Sequence, residues 1–170
     1  MRVKILTAIC LTAFIAMIAA FAIADEKAAA KHEFIGEKKC KICHKKDGTH
    51  PSWLETSHAT AFDNLTPEQQ KDPAYIKYYT TGTDAKGELL TGVQCEACHG
   101  AGADYKAKKI MEDREQAIAN GLLIPDEKTC LTCHNADAPG KLGATAKDWD
   151  FAKAKAKGVH AMPEAAEETE

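Results

Sequence analysis

The 170-residue sequence predicts a mostly α fold, with short helices, long loops and little or no sheet, and three observations predict it. Helix-start and helix-stop residues recur at close intervals, so no periodic stretch runs far. No run of alternating β-branched or aromatic residues reads as a long strand. Three Cys-x-x-Cys-His motifs, Cys40–His44, Cys95–His99 and Cys130–His134, each need one helical turn and little more.

In chain order, Arg2 and Lys4 precede an apolar run, and Ala22-Ile23-Ala24 then offers the small residues a signal peptidase reads. Residues 1–24 therefore read as a secretory signal peptide rather than a retained anchor, with Cys10 a discarded apolar residue inside it. The folded domain is expected over 25–163, after a loose leader to His32, and 164–170 is expected to be an acidic, disordered tail. Ser52–Leu65 reads as an amphipathic helix with Leu54, His58, Ala61, Phe62 and Leu65 on one face. Thr66-Pro67-Glu68-Gln69 carries a capping box, and Asp72-Pro73 starts a short helix through Tyr79. Thr81–Gly87 is turn-rich, and Leu89–Val93 reads as extended coil, with a short strand as the alternative. Tyr105–Asn120 reads as one helix stopped by Gly121. A further helix is expected within Trp149–Met162. Gly100 and Gly102 are expected to let backbone approach a flat cofactor.

Aromatic residues make up only 6% of the chain and Ala and Lys are abundant, so an ordinary core would be thin. The net charge is −3, and loss of Arg2 and Lys4 with the signal would take it to −5. That balance argues against nucleic acid and for basic protein partners or none in particular, and the partners expected are redox proteins. No stable membrane insertion is expected once the signal is cut.

Apart from Cys10, every cysteine belongs to a motif: Cys40, Cys43, Cys95, Cys98, Cys130 and Cys133. Two thiols one turn apart add across the vinyl groups of a haem, and the adjacent histidine reaches the iron. Redox disulfides, a four-thiolate zinc site or three structural disulfides would not require a histidine after each second cysteine. Three haem c groups are therefore expected, with His44, His99 and His134 as proximal iron ligands. For the far side of the irons, His58 on its apolar helix face is the best candidate, then His160 in Gly158-Val159-His160-Ala161-Met162. His50 and His32 lie in polar surroundings and read as solvated. Met111 either packs with Ile118 or serves as a ligand.

Phe34-Ile35-Gly36, Ser52-Trp53-Leu54 with Ser57-His58-Ala59, and Leu90-Thr91-Gly92-Val93 before Cys95-Glu96-Ala97-Cys98-His99-Gly100 resemble the cytochrome c-554 family of multihaem cytochromes. The Val159-His160-Ala161-Met162 end is a weaker match. The resemblance implies that His58 pairs with His99 and His160 with His44. The better-known members carry a fourth haem motif, with an open iron, between the Trp segment and His-Gly; here Asp72–Leu90 holds no cysteine. Where the family has its remaining distal histidine this chain has Lys109, with Met111 close by, so Met111 is the expected partner of His134. Two bis-histidine haems at low potential and a His/Met haem at higher potential would make an exported, periplasmic electron carrier rather than an enzyme. The alternatives are an enzyme acting on nitric oxide, nitrite or peroxide at an open third haem, or a self-associating subunit of a conducting filament in which His50 or His32 reaches a neighbour's haem.

Overall fold

The computed structural model describes residues 32–162. The expected signal peptide (1–24), most of the leader and the acidic tail (164–170) lie outside the described residues. Among the described residues there are nine short helices: α1 Glu37–His44, α2 Thr49–Leu54, α3 Pro73–Tyr79, α4 Cys95–His99, α5 Lys108–Met111, α6 Arg114–Ala119, α7 Glu127–Leu131, α8 Gly140–Ala144 and α9 Phe151–Lys157. Single 3₁₀ turns lie at Gln69–Lys71 and Ala146–Asp148. Among the described residues the sheet is one antiparallel hairpin, β1 Thr80–Thr83 with β2 Leu89–Thr91, broken by a bulge between Thr80 and Gly82. The fold is thus mostly helical with little sheet, as the motif spacing and the helix punctuation predict.

Local chemistry explains the boundaries. The Asp72 carboxylate accepts from the Ala74 amide and caps α3, and Thr66 and Gln69 exchange the two bonds of a capping box. Asp126 and Thr129 build a second capping box at α7. Two expectations fail for identifiable reasons. Ser52–Leu65 is not one helix: α2 ends at Leu54, and the His58 carbonyl accepts from the Val93 amide at 3.0 Å. Residues 55–65 run as turns instead. Tyr105–Asn120 is split because the Asp113 side chain accepts from the Gln116 amide at 3.0 Å and starts α6 afresh. The expected coil at Leu89–Val93 holds β2.

Among the described residues the buried apolar set is small: Trp53, Tyr78, Tyr105, Ala117 and Ala138. Ile42, Leu54, Ile118, Leu123, Ile124 and Leu131 are exposed. The polypeptide alone buries too little apolar surface to offset the entropy of ordering this many loop residues. Polar clamps do part of that work. The Trp53 indole N–H donates to the Val93 carbonyl at 3.1 Å, tying α2 to the segment that enters α4.

Candidate haem-binding centre

Each motif sits on a helical turn. α1 carries Cys40, Cys43 and His44, and α4 is itself the second motif. α7 carries Cys130, and the chain keeps turning so that the Cys133 and His134 amides both donate to the Cys130 carbonyl. All six motif cysteines are free thiols rather than disulfides. Among the described residues, no three His, Cys, Asp or Glu side chains converge as a zinc site would require.

The three motifs adjoin one another in order. The Cys40 thiol is pushed far up, first by its hydrogen bond with Cys95 and then by burial. Cys98 is pushed up to about 11 by burial and by the neighbouring Cys130 and Cys133. The Cys40–Cys95 bond and the packing of α1 on α4 set the first motif against the second, and Cys98 lies within electrostatic reach of the thiols of the third.

Three of these histidines are held by one ring nitrogen, which leaves the other for a metal. His44 Nδ1 donates to Asp47 Oδ2 at 2.8 Å, His99 Nδ1 to the Leu123 carbonyl at 3.2 Å, and His160 Nδ1 to the Ala161 carbonyl at 2.9 Å. Such outer partners fix the tautomer and the ring orientation of iron ligands. Burial pushes His58, His99 and His134 below the ordinary imidazole range, which favours the neutral, ligating form. Slight desolvation works against the charge of the exposed Asp47, yet bonds from Thr49 and His44 hold its carboxyl below the usual range.

Two ring pairs stand out. The His58 and His134 centroids are 6.1 Å apart at 72°, and those of His99 and His160 are 6.1 Å apart at 38°. A metal–imidazole bond of about 2 Å on each side, plus the ring radii, separates two centroids by about 6 Å. Trp149 stacks on the His134 ring at 4.8 Å and 17°.

This arrangement departs from the pairing that the resemblance implied. His58 stands beside His134, not His99, and His160 stands beside His99, not His44. The neighbour of His134 is thus His58 rather than Met111, which lies half-buried at the end of α5. The reason is the chain path: the Val93 bond to His58 and the early end of α2 turn residues 55–65 away from a single helix face. His50 is not solvated. It is 4% exposed, packs on Trp53 and meets Glu37 Oε2 at 2.6 Å, so it cannot reach a neighbouring molecule's haem without breaking that pair. His32 Nδ1 meets Asp104 Oδ2 at 2.5 Å.

Sequence reasoning missed Glu96. It is 2% exposed and accepts from the amides of Ile35 (3.0 Å), Gly36 (2.7 Å) and Gly102 (2.6 Å). With Gln94, whose Oε1 accepts from the Glu37 amide at 2.7 Å, it joins the start of α1 to α4. An acidic residue between the two cysteines of a motif was the available signal. The glycines after the second motif also serve the polypeptide. A side chain at Gly100, where φ is +77°, would meet the Gly121 carbonyl at 2.7 Å, and one at Gly102 would meet Glu96 and Ile35.

Paired cysteines on single turns, imidazoles held by Nδ1, imidazole pairs at iron-spanning distance and an apolar deficit all fit bound haem. They define a multihaem c-type cytochrome, a class that holds haem c covalently. The description "Outer membrane cytochrome MtrC/MtrF-like, domains II/IV" matches residues 21–169, and the chain belongs to that family. It is also cytochrome c-554-like. It is 32% identical over 143 residues to cytochrome c-554 of Nitrosomonas europaea, covering 62% of this chain and 59% of that one. The chain thus spans about three-fifths of that relative's length. The solved reduced-state structure of the Nitrosomonas europaea cytochrome c554 shares the fold, with a TM-score of 0.53, 23% identity, and coverage of 79% of this chain and 86% of that one.

Proposed function

We propose that the chain is an exported, periplasmic electron carrier holding three haem c groups in a row. Cys40 and Cys43, Cys95 and Cys98, and Cys130 and Cys133 are the attachment points, with His44, His99 and His134 as proximal ligands. His58 is the distal ligand opposite His134, and His160 the one opposite His99. Haem c supplies a one-electron iron couple; the chain's residues attach it, orient it and exclude water.

The observation that carries this reading is the nearness of the motifs: Cys40 is hydrogen-bonded to Cys95, and Cys98 lies within electrostatic reach of Cys130 and Cys133. A relay needs its cofactors adjacent, and these attachment points adjoin. Export is supported by the Arg2 and Lys4 charges, the apolar run and the Ala22-Ile23-Ala24 site. Among the described residues no helix is long and apolar enough to cross a membrane.

The partner surface is supported by α1. Ile42 is 73% exposed, with the exposed Lys38, Lys39, Lys41, Lys45 and Lys46 around it, a local basic face on an acidic chain. An apolar centre with a charged rim suits a transient acidic redox partner, and it reverses the preference that net charge alone suggests. Potentiometry with electron-paramagnetic detection tests the function. Three one-electron steps, with two bis-histidine low-spin signals, are expected; fewer steps, or no bis-histidine signal, would contradict it.

A further inference from the structure

The first haem site differs from the other two. All seven histidines lie within the described residues. His44, His99 and His134 belong to motifs, and His58 and His160 face His134 and His99. The remaining two are engaged elsewhere: His50 is buried against Glu37 and Trp53, and His32 is bound to Asp104. No imidazole is left for the position opposite His44.

The proximal side of this site is different too. His99 and His160 donate Nδ1–H to neutral carbonyls, whereas His44 donates to the Asp47 carboxylate at 2.8 Å. The Asp47 carboxylate is in turn fixed by the Thr49 amide at 3.0 Å. A carboxylate on the far nitrogen makes an imidazole a stronger donor to its metal. A strong proximal donor with no opposing imidazole is the arrangement of a ligand-binding haem rather than a closed electron-transfer one.

We propose that the iron held by His44 keeps its opposite position open and binds a neutral diatomic ligand of the carbon monoxide or nitric oxide class, with Asp47 as the positioning residue that tunes His44. This rests on the three-haem reading above and moves the open position from the third haem to the first. Binding is a simple ligation of ferrous iron, and no bond in the ligand breaks.

The test is titration of the dithionite-reduced holoprotein with carbon monoxide, after its haem content has been counted by alkaline-pyridine spectroscopy. A count below three defeats the three-haem reading itself. A count of three with no carbon monoxide uptake, whether Met111 or another side chain fills the position, overturns only this inference. The expected result is about one carbon monoxide per chain in the native protein. His58→Ala and His160→Ala each open one further iron, so each raises uptake to about two. Uptake that stays at one in His58→Ala would mean that the open iron was already that of His134, and would overturn the inference. Circular dichroism and haem content check that the variants fold, and either variant alone decides the count. In Asp47→Asn the bound carbon monoxide stretch should move to higher frequency, because a neutral partner makes His44 a weaker donor. An unmoved band assigns the ligand to another iron and also overturns the proposal.

Discussion

Replacing Glu96 by alanine isolates what holds the first two motifs together. Its carboxylate is 2% exposed and accepts from the Ile35, Gly36 and Gly102 amides, which belong to the chain entering α1 and the turn after α4. Alanine leaves two buried donors and one part-buried donor without their acceptor, at about 1–3 kcal/mol each. Part of that loss is returned because a buried carboxylate no longer has to be desolvated. The net cost is about 3–5 kcal/mol, the range found when one partner of a buried charged set is removed. With a urea slope of about 2 kcal/mol per molar, the unfolding midpoint of the holoprotein should fall by roughly 2 M. Glu96→Gln keeps one acceptor oxygen and turns an NH₂ group towards an amide, so it should lie between. An alanine midpoint within about 0.5 M of the native one would refute the reasoning, since it would mean that water or a small shift satisfies all three amides.

Removing the Trp149 ring in Trp149→Ala exposes one face of His134, against which it stacks at 4.8 Å. One bis-histidine low-spin signal should then broaden or shift while the other stays unchanged; two unchanged signals would count against His134 and His58 forming a pair. Gly92→Ala places a Cβ 2.7 Å from the Ala59 carbonyl at φ +79°. It should cost about 2–4 kcal/mol in denaturant unfolding and loosen the segment that holds His58. At α7, backbone and side-chain bonds from Thr129 hold the Asp126 carboxyl below its ordinary value of 3.8. Because the folded value is depressed, the cap's contribution is complete above the unfolded value and is lost as pH falls through the folded one. Asp126→Ala should therefore lower the thermal midpoint at neutral pH, and the gap to the native protein should narrow in strong acid. A gap that does not change with pH would contradict the ionised cap.

The sequence was most informative where a few neighbouring residues decide the structure. The three Cys-x-x-Cys-His turns, the Asp72 cap and the Thr66–Gln69 box all form as local chemistry dictates. It was least informative where distant segments compete. His58 looked like one face of a long helix, but a bond from Val93 claims its carbonyl and redirects the chain. The pairing of His58 with His134 and of His99 with His160 spans most of the domain, and no periodicity encodes it. Glu37 meets His50 across a turn, so a histidine in a polar stretch is buried after all. Asp113, read as an interior helix residue, is the cap that divides the expected helix in two.

The most direct test of the account is mass spectrometry of peptides from the holoprotein, made in a host that attaches haem to exported chains. The peptides containing Cys40–Cys43, Cys95–Cys98 and Cys130–Cys133 should each carry one haem through two thioether bonds. Any one of them recovered as a plain dithiol or a disulfide would contradict a three-haem relay in this chain.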